Sequence, residues 1–286
     1  MDKIQESFLN NLDLSELTKL KPNVVWWLLE EITKKNRAQL FAQKQIILSK
    51  QQKEIINEWV NQLTKEKKPL AYVLGWTPFS NLKIYTEPPT LIPRPETEEW
   101  VLDLVNKIKK NKIEKQFRIL DIGTGTGCVA LTLAKKIPNA DVVAIDISEK
   151  ALQLAKKNAA ENKIENVTFL KSDLFENLGE IKFDMIVSNP PYISEQDWKG
   201  LEQHIKGWED PQALKAKNDG LEIIENIIQK TPQYLKPAGI NLPNLVIEIG
   251  YNQGEAVRNL LTKKGFKAIT IEKDFSGKNR VACGKF

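Results

Sequence analysis

A chain of 286 residues, 41% hydrophobic and 28% charged, has the make-up of a soluble globular protein and length enough for two domains. With Cys128 and Cys283 as its cysteines and His204 as its one histidine, a disulfide framework, a cysteine-based zinc site and a histidine-rich metal centre are excluded, so no metal is expected. The net charge of +5 permits an RNA-rich partner without demanding one, because basic runs such as Lys65-Glu66-Lys67-Lys68 and Lys107 to Lys112 also suit solvated helix ends.

The start, Met1 to Glu6, has neither the basic nor the apolar region of a signal peptide. The apolar run Val24 to Leu29 is far short of the ~20 residues that span a bilayer. No membrane association is expected, and a reducing cytoplasm is the natural compartment. Apolar residues recur at helical spacing in Val24, Trp27, Leu28 and Ile32, and again in Ile55, Ile56, Trp59, Val60 and Leu63. This spacing predicts a small all-helical domain over residues 1–85, with no polar cluster that suggests chemistry. It reads as an interaction and substrate-recognition surface.

Residues 86–116 read as a linker and a connecting helix. Pro88, Pro89 and Pro93 forbid a regular helix before Pro95. Pro95 then stands near the first helical position, with Glu96, Glu98 and Glu99 at the positive end of the dipole. Arg94, held among prolines, suits contact with an anion or a partner; a plain spacer is the other reading, and both stand.

Residues 117–286 alternate strand and helix. Strands are expected at 118–122, 141–145, 167–170, 183–187 and 245–249, and helices at 128–137, around Leu152 to Ala155, at 221–234 and at 254–264. Short strands near 268–271 and 280–282, joined by a tight turn, suggest an antiparallel edge pair. The pattern predicts an α/β fold, a doubly wound and mostly parallel seven-stranded sheet.

Asp121-Ile122-Gly123-Thr124-Gly125-Thr126-Gly127 lies between the first of these strands and its helix, where such sheets bind nucleotides. The third glycine of a dinucleotide fingerprint would fall on Cys128, which argues against NAD. Asp121 would repel a pyrophosphate but suits the ammonium of an amino acid. Asp146 closes the second strand, placed for both ribose hydroxyls. Asp173 follows the third strand, placed for an adenine amine, with Leu174 to pack on the ring. Each acid alone is a good helix cap. Together, beside the glycine loop, they fit S-adenosylmethionine better than any phosphorylated cofactor.

After the strand at 183–187 come Asn189-Pro190-Pro191-Tyr192. The prolines stiffen the turn and fix what precedes them. The Asn189 side chain and the Pro190 carbonyl can then offer two neutral acceptors to one planar NH2 group, beside the Tyr192 ring. A Pro-rich turn with a surface tyrosine is the alternative.

Asp121 to Gly127 together with Asn189 to Tyr192 resemble the class I S-adenosylmethionine-dependent methyltransferases that act on planar amino groups. Leu91-Ile92-Pro93-Arg94-Pro95-Glu96-Thr97-Glu98, Val187 to Ile193, Glu248 to Val257 and Asp274 to Val281 narrow the resemblance to the peptide chain release factor glutamine N5-methyltransferase family. It covers most of the chain from about Pro69; the helical N-terminal domain matches only in kind. The chain departs from the pattern at Lys236 to Pro243, where a Lys-Pro-Gly-Gly turn is usual, and at Leu174, where some relatives carry an aromatic ring.

The resemblance implies methyl transfer from S-adenosylmethionine to the glutamine side-chain nitrogen in the Gly-Gly-Gln loop of class 1 release factors. Asn189, Pro190 and Tyr192 would be catalytic. Substrate would meet Asn189, Pro190, Pro191, Tyr192 and Arg94. Cofactor would meet Asp121, Gly123, Thr124, Gly125, Thr126, Gly127, Asp146, Asp173, Leu174 and Asn189. A DNA or RNA amino-methyltransferase is the leading alternative, although neither a basic groove nor a target-reading domain for base extrusion is evident. A non-catalytic cofactor-binding partner of the ribosome is the third reading.

Overall fold

The computed structural model describes residues 17, 20–43, 46–111, 116–237 and 242–286. Met1 to Glu6, Lys112 and the Ala238 to Asn241 part of the divergent loop lie outside the described residues. The chain divides into two compact units, one of residues 1–75 with 203–208, the other of 76–202 with 209–286.

The first unit is helical: α1 (Pro22–Thr33), α2 (Arg37–Phe41), α3 (Lys50–Thr64) and α4 (Leu70–Leu74). Pro22 starts α1 without cost, since the first helical N–H has no partner in any helix. Asn36 with Gln39, and Ser49 with Gln52, form reciprocal capping boxes that start α2 and α3. The core gathers Val25, Trp26, Leu28 and Leu29 of α1 with Leu40, Ile56 and Val60. Val24 and Trp27 are half-buried and Ile55 is exposed, so the buried face of each helix is narrower than the apolar spacing indicated. Trp208, from the short helix Gln203–Trp208, donates to the Glu66 carbonyl at 3.2 Å, and Lys68 Nζ lies 5.4 Å from its ring centroid.

The second unit opens with an antiparallel hairpin, β1 (Trp76–Phe79) and β2 (Leu82–Tyr85). Residues 76–85, read as the end of the helical domain, belong instead to this unit. Leu82 and Ile84 are buried between half-buried Lys83 and Tyr85, the alternation of a strand with one face on a core. Asn158 and Asn162 bond the backbone of Tyr85 and Lys83 at 2.7–3.2 Å, so two side-chain amides occupy the strand edge that another chain could otherwise pair with.

The helix α5 (Pro95–Lys110) begins at the predicted proline. Then follow β3 (Phe117–Ile122), α6 (Cys128–Lys136), β4 (Ala140–Asp146), α7 (Glu149–Glu161), β5 (Val167–Lys171) and β6 (Met185–Ser188). An insertion carries Glu195–Gly200 and a turn through Lys217–Gly220. The chain closes with α8 (Glu222–Lys230), β7 (Leu245–Glu248), α9 (Gly254–Lys264), β8 (Lys267–Lys273) and β9 (Asn279–Lys285). The helix expected over 221–234 gives way at Thr231 to a tighter 3-10 turn containing Pro232, which has no N–H to continue the ladder.

The seven-stranded sheet has the order β5-β4-β3-β6-β7-β9-β8, parallel from β5 to β7, with β9 antiparallel to both neighbours. One face packs α5 and α6 residues such as Val101, Leu104 and Leu131. The other packs Ile224, Ile227, Ile228, Val257 and Leu261 of α8 and α9. This is the doubly wound α/β architecture expected from the strand–helix alternation. Among the described residues, no helix is long and apolar enough to cross a membrane.

Candidate active site

The strand order reverses between β3 and β6, the kind of switch point at which α/β sheets bind their ligands. Asp121 pairs with Val187 and Ile122 with Ser188, so Gly123 and Asn189 leave the sheet from adjacent strand ends. The Ser188 hydroxyl donates to the Ile122 carbonyl at 2.8 Å and locks the two ends together.

Gly123, Gly125 and Gly127 all have positive φ, at 72°, 55° and 83°. A Cβ added at Gly123 or Gly125 would meet no atom within 4 Å, whereas one at Gly127 would lie 3.0 Å from Ala155 Cβ. The first two glycines therefore leave room for a ligand at the backbone, while the third lets α6 pack on α7. Thr124 and Thr126 are buried within the loop, the Thr126 carbonyl accepting from Asn158 Nδ2 at 2.9 Å.

Asp121 is buried at 1% exposure and accepts from Thr124 Oγ1 at 2.6 Å. Burial raises its carboxyl to about 7, against hydrogen bonds from Thr124 and the Ala130 backbone that lower it. Asp146 accepts the Gly125 N–H on Oδ2 and the Ser148 N–H on Oδ1, both at 2.8 Å. Burial pushes this carboxyl up as well, and the backbone hydrogen bonds counter it. Each Asp146 oxygen keeps a second lone pair, which is what a pair of ribose hydroxyls requires. Asp173 follows β5, which pairs with β4 at Asp146–Lys171, and is exposed. Leu174 is half-buried and held at φ 47°, a backbone region unusual for a branched residue, and the Ser172 hydroxyl donates to its carbonyl at 2.8 Å. The donor set, with open space at two glycines and acceptors on two adjacent strand ends, fits an uncharged ribose and a cationic amino acid moiety.

At the neighbouring end of β6, Asn189 and Pro191 are half-buried and Pro190 is buried. Asn189 Nδ2 donates to Thr97 Oγ1 at 3.1 Å, so its acceptor oxygen is the group left to meet a ligand. Thr97 Oγ1 donates to Glu248 Oε2 at 2.7 Å, and Trp100 Nε1 donates to the same oxygen at 2.8 Å. The Tyr192 hydroxyl donates to Glu248 Oε1 at 3.1 Å and accepts from Arg280 at 3.4 Å. Arg280 also pairs with Asp274 at 3.1 Å. Burial and then the Glu248 charge push the Tyr192 phenol well above its usual range. Glu248 itself is raised by burial, while bonds from Trp100 and Thr97 and the Arg280 charge draw it back. Tyr192 is anchored at its backbone too, where Gln253 Nε2 donates to its carbonyl at 2.9 Å and to the Asp219 carbonyl at 3.0 Å.

Arg94 is engaged: its guanidinium donates to both oxygens of Glu209, at 2.6 and 2.7 Å. The Glu209 side chain is 1% exposed and that of Arg94 33%. Nearby, Asp210 N–H donates to the Pro89 carbonyl at 2.8 Å, so the proline-rich segment holds the inserted segment at two points.

Sequence reading gave no individual role to Thr97, Trp100, Glu248, Arg280, Gln253, Asn158 or Glu209. One signal was present for Glu248: an acid closing the wholly apolar strand Leu245-Val246-Ile247, where a charge is tolerated only with dedicated partners.

Comparison with known proteins adds the following. Residues 102–205 match the family Methyltransferase small domain, and residues 14–75 match the PrmC N-terminal domain. A release factor glutamine methyltransferase of Salmonella typhimurium is 39% identical over 259 residues, covering 91% of this chain and 90% of that protein. Another of that description from Streptococcus pneumoniae is 38% identical over 243 residues, covering 85% and 83%. A solved methyltransferase from Pyrococcus furiosus is 18% identical, covers 83% of this chain and 99% of its own, and superposes with a TM-score of 0.51, a likeness of fold alone.

Proposed function

The chain belongs to the release factor glutamine methyltransferase family, and from that membership we propose how its residues perform the reaction. The acceptor is the side-chain nitrogen of the glutamine in the Gly-Gly-Gln loop of class 1 release factors, and the donor is S-adenosylmethionine. The observation that carries this reading is the pairing of Ile122 with Ser188, which brings the Asn189 acceptor beside the glycine loop.

When bound, S-adenosylmethionine supplies an electrophilic methyl group. The backbone at Gly123 and Gly125 would give it space, Asp146 would accept its ribose hydroxyls, Asp121 would meet its ammonium, and Asp173 and Leu174 would border the adenine. An amide nitrogen is a poor nucleophile, because its lone pair is shared with the carbonyl. Asn189 Oδ1 and the Pro190 carbonyl each accept one of its N–H bonds. As the nitrogen becomes tetrahedral and positive, both acceptors bind it more strongly than in the ground state, which lowers the barrier. The adjacent ends of β3 and β6, locked by the Ser188–Ile122 bond, would hold nucleophile and methyl donor close together, removing orientational entropy from the step. No base is needed beforehand: as the N–C bond forms the methyl–sulfur bond breaks, its electron pair staying on the departing neutral thioether, and the methylated nitrogen is then acidic and loses its extra proton to solvent. Tyr192 and Pro191 wall the glutamine stem, and Arg94 borders the substrate path. Residues 14–75 contribute recognition of the release factor. The buried, unpaired thiols of Cys128 and Cys283 fit a reducing cytoplasm.

The test is to incubate labelled S-adenosylmethionine separately with a class 1 release factor, DNA and ribosomal RNA. Label on the release factor supports this assignment; label on nucleic acid alone overturns it.

A further inference from the structure

Behind Asn189 lies a carboxylate that no step above uses. Glu248 is 1% exposed at the end of β7, where an ionised acid persists only if donors surround it. Thr97, Trp100 and Tyr192 supply those donors at 2.7, 2.8 and 3.1 Å.

The donor inventory dictates more than stability. In its carboxylate form Glu248 only accepts, and the Trp100 indole N–H only donates. Thr97 has one hydroxyl proton, and Glu248 takes it. What remains on Thr97 Oγ1 is acceptor capacity, so the Asn189 atom 3.1 Å away must be the NH2 nitrogen. The reversed amide would set two acceptor oxygens against each other with no proton between them. Asn189 Oδ1 is thereby turned away from Thr97 and left as the free acceptor of the amide.

We propose that Glu248, acting through Thr97, is a positioning residue that fixes the orientation of the Asn189 amide and so presents Oδ1 to the NH2 group of the substrate. This rests on the methyl-transfer reading of Asn189. The chain of bonds joins α5, β6 and β7, elements brought together only by the sheet. Tyr192 is set by the same acid, since its one proton also goes to Glu248 and its oxygen is left to accept from Arg280.

The experiment is steady-state methylation of a purified class 1 release factor, with S-adenosylmethionine Kd and Tm measured on each variant and Asn189→Ala as the reference. Thr97→Val removes both the acceptor for Asn189 and one donor to buried Glu248, so it is expected to lower kcat about tenfold, the worth of a lost hydrogen bond, and to lower Tm by a few degrees, with S-adenosylmethionine Kd near that of the parent. Thr97→Ser keeps the oxygen and is expected to restore most of the rate. Glu248→Met should reproduce the loss. Glu248→Gln should lose less, because the Trp100 N–H forces the glutamine oxygen to the Thr97 side. Should Thr97→Val not fold, Thr97→Cys, whose sulfur is a weak acceptor of similar size, decides in the same way. Full kcat in Thr97→Val beside an inactive Asn189→Ala overturns the positioning role and leaves the methyl-transfer reading intact. Equal losses in Thr97→Val and Thr97→Ser overturn it too, since shape and not the oxygen would then matter. Full activity in Asn189→Ala overturns both.

Discussion

The Asp146 carboxylate accepts the Gly125 N–H at 2.8 Å, so the acid that closes β4 is also a strut of the glycine loop on β3. A second bond, from the Ser148 N–H at 2.8 Å, fixes its other oxygen. Both oxygens are thus preorganised, and each retains a lone pair for a ribose hydroxyl.

Asp146→Ala removes the strut and the proposed ribose acceptor together. Hydrogen bonds to a charged group contribute about 1.5–3 kcal/mol, so S-adenosylmethionine Kd should rise roughly 10–100-fold. Isothermal titration calorimetry measures this directly, and an unchanged Kd would remove Asp146 from the site. Asp146→Asn, which can keep one acceptor towards either the loop or the ligand, should fall between.

Asn189→Ala should behave differently. It removes an acceptor that strengthens only as charge develops on the substrate nitrogen, so kcat is expected to fall about 10²–10³-fold. Cofactor Kd should stay within about twofold, because the glycine loop and Asp146 are untouched. Single-turnover methylation and a binding isotherm, run side by side, separate the two effects. A loss confined to Kd would contradict the role given to Asn189.

Asp121 gives the site a pH dependence whose sign can be worked out. Burial raises its folded-state carboxyl to about 7, well above the ~3.9 of an unfolded aspartate. The folded protein therefore holds a proton there that the unfolded chain has already lost. The resulting stabilisation is complete below the unfolded value and is lost as pH rises through about 7. If an ammonium takes the place of that proton, cofactor binding must expel it under acid conditions. Kd should then tighten as pH rises from about 5.5 to 7.5, by up to about tenfold per pH unit below the folded value. In Asp121→Asn the slope should vanish. A parallel slope in that variant would assign the titration to another group.

Gly220 lies behind Tyr192, at φ 82°, and a Cβ there would sit 2.0 Å from the Tyr192 carbonyl oxygen and 2.6 Å from Gln253 Nε2. Gly220→Ala therefore combines backbone strain with a collision that only movement of the Tyr192 backbone relieves. Gly123→Ala has the strain without the collision, as no atom lies within 4 Å of its added Cβ. Strain alone costs about 1–2 kcal/mol, so Gly123→Ala should unfold a few degrees early. Gly220→Ala should lose clearly more, with Tyr192 displaced. Thermal melts of the two variants order the costs, and equal Tm values would contradict the close approach.

The parts legible in the sequence are those carried by local periodicity. Strand–helix alternation gave the sheet, Pro95 gave the start of α5, and the acids at Asp121 and Asp146 stand at adjacent strand ends joined through Gly125. The hairpin of residues 76–85 was not legible, because its strands are four residues long, one contains Pro78, and their edge is satisfied by asparagine side chains more than 70 positions away. Asn189 and Glu248 lie 92 and 151 positions from Thr97 along the chain, so no spacing rule joins them. The Arg94–Glu209 contact spans 115 positions and escaped for the same reason.

That ion pair separates structure from recognition. Glu209 is almost fully buried and both its oxygens are held by Arg94. Arg94→Ala should cost about 1–3 kcal/mol, because a buried acid is left without its donor. An apolar pair, Arg94→Met with Glu209→Leu, removes both charges and should recover most of that stability, since a buried ion pair contributes little over a hydrophobic one. The combined variant then isolates any contact that Arg94 makes with the release factor. If Arg94 only anchors the inserted segment, kcat/KM returns together with Tm. If Tm recovers while KM for the release factor stays several-fold high, the guanidinium also meets substrate, as the family resemblance implied. Methylation kinetics and thermal melts on the three proteins decide between the two.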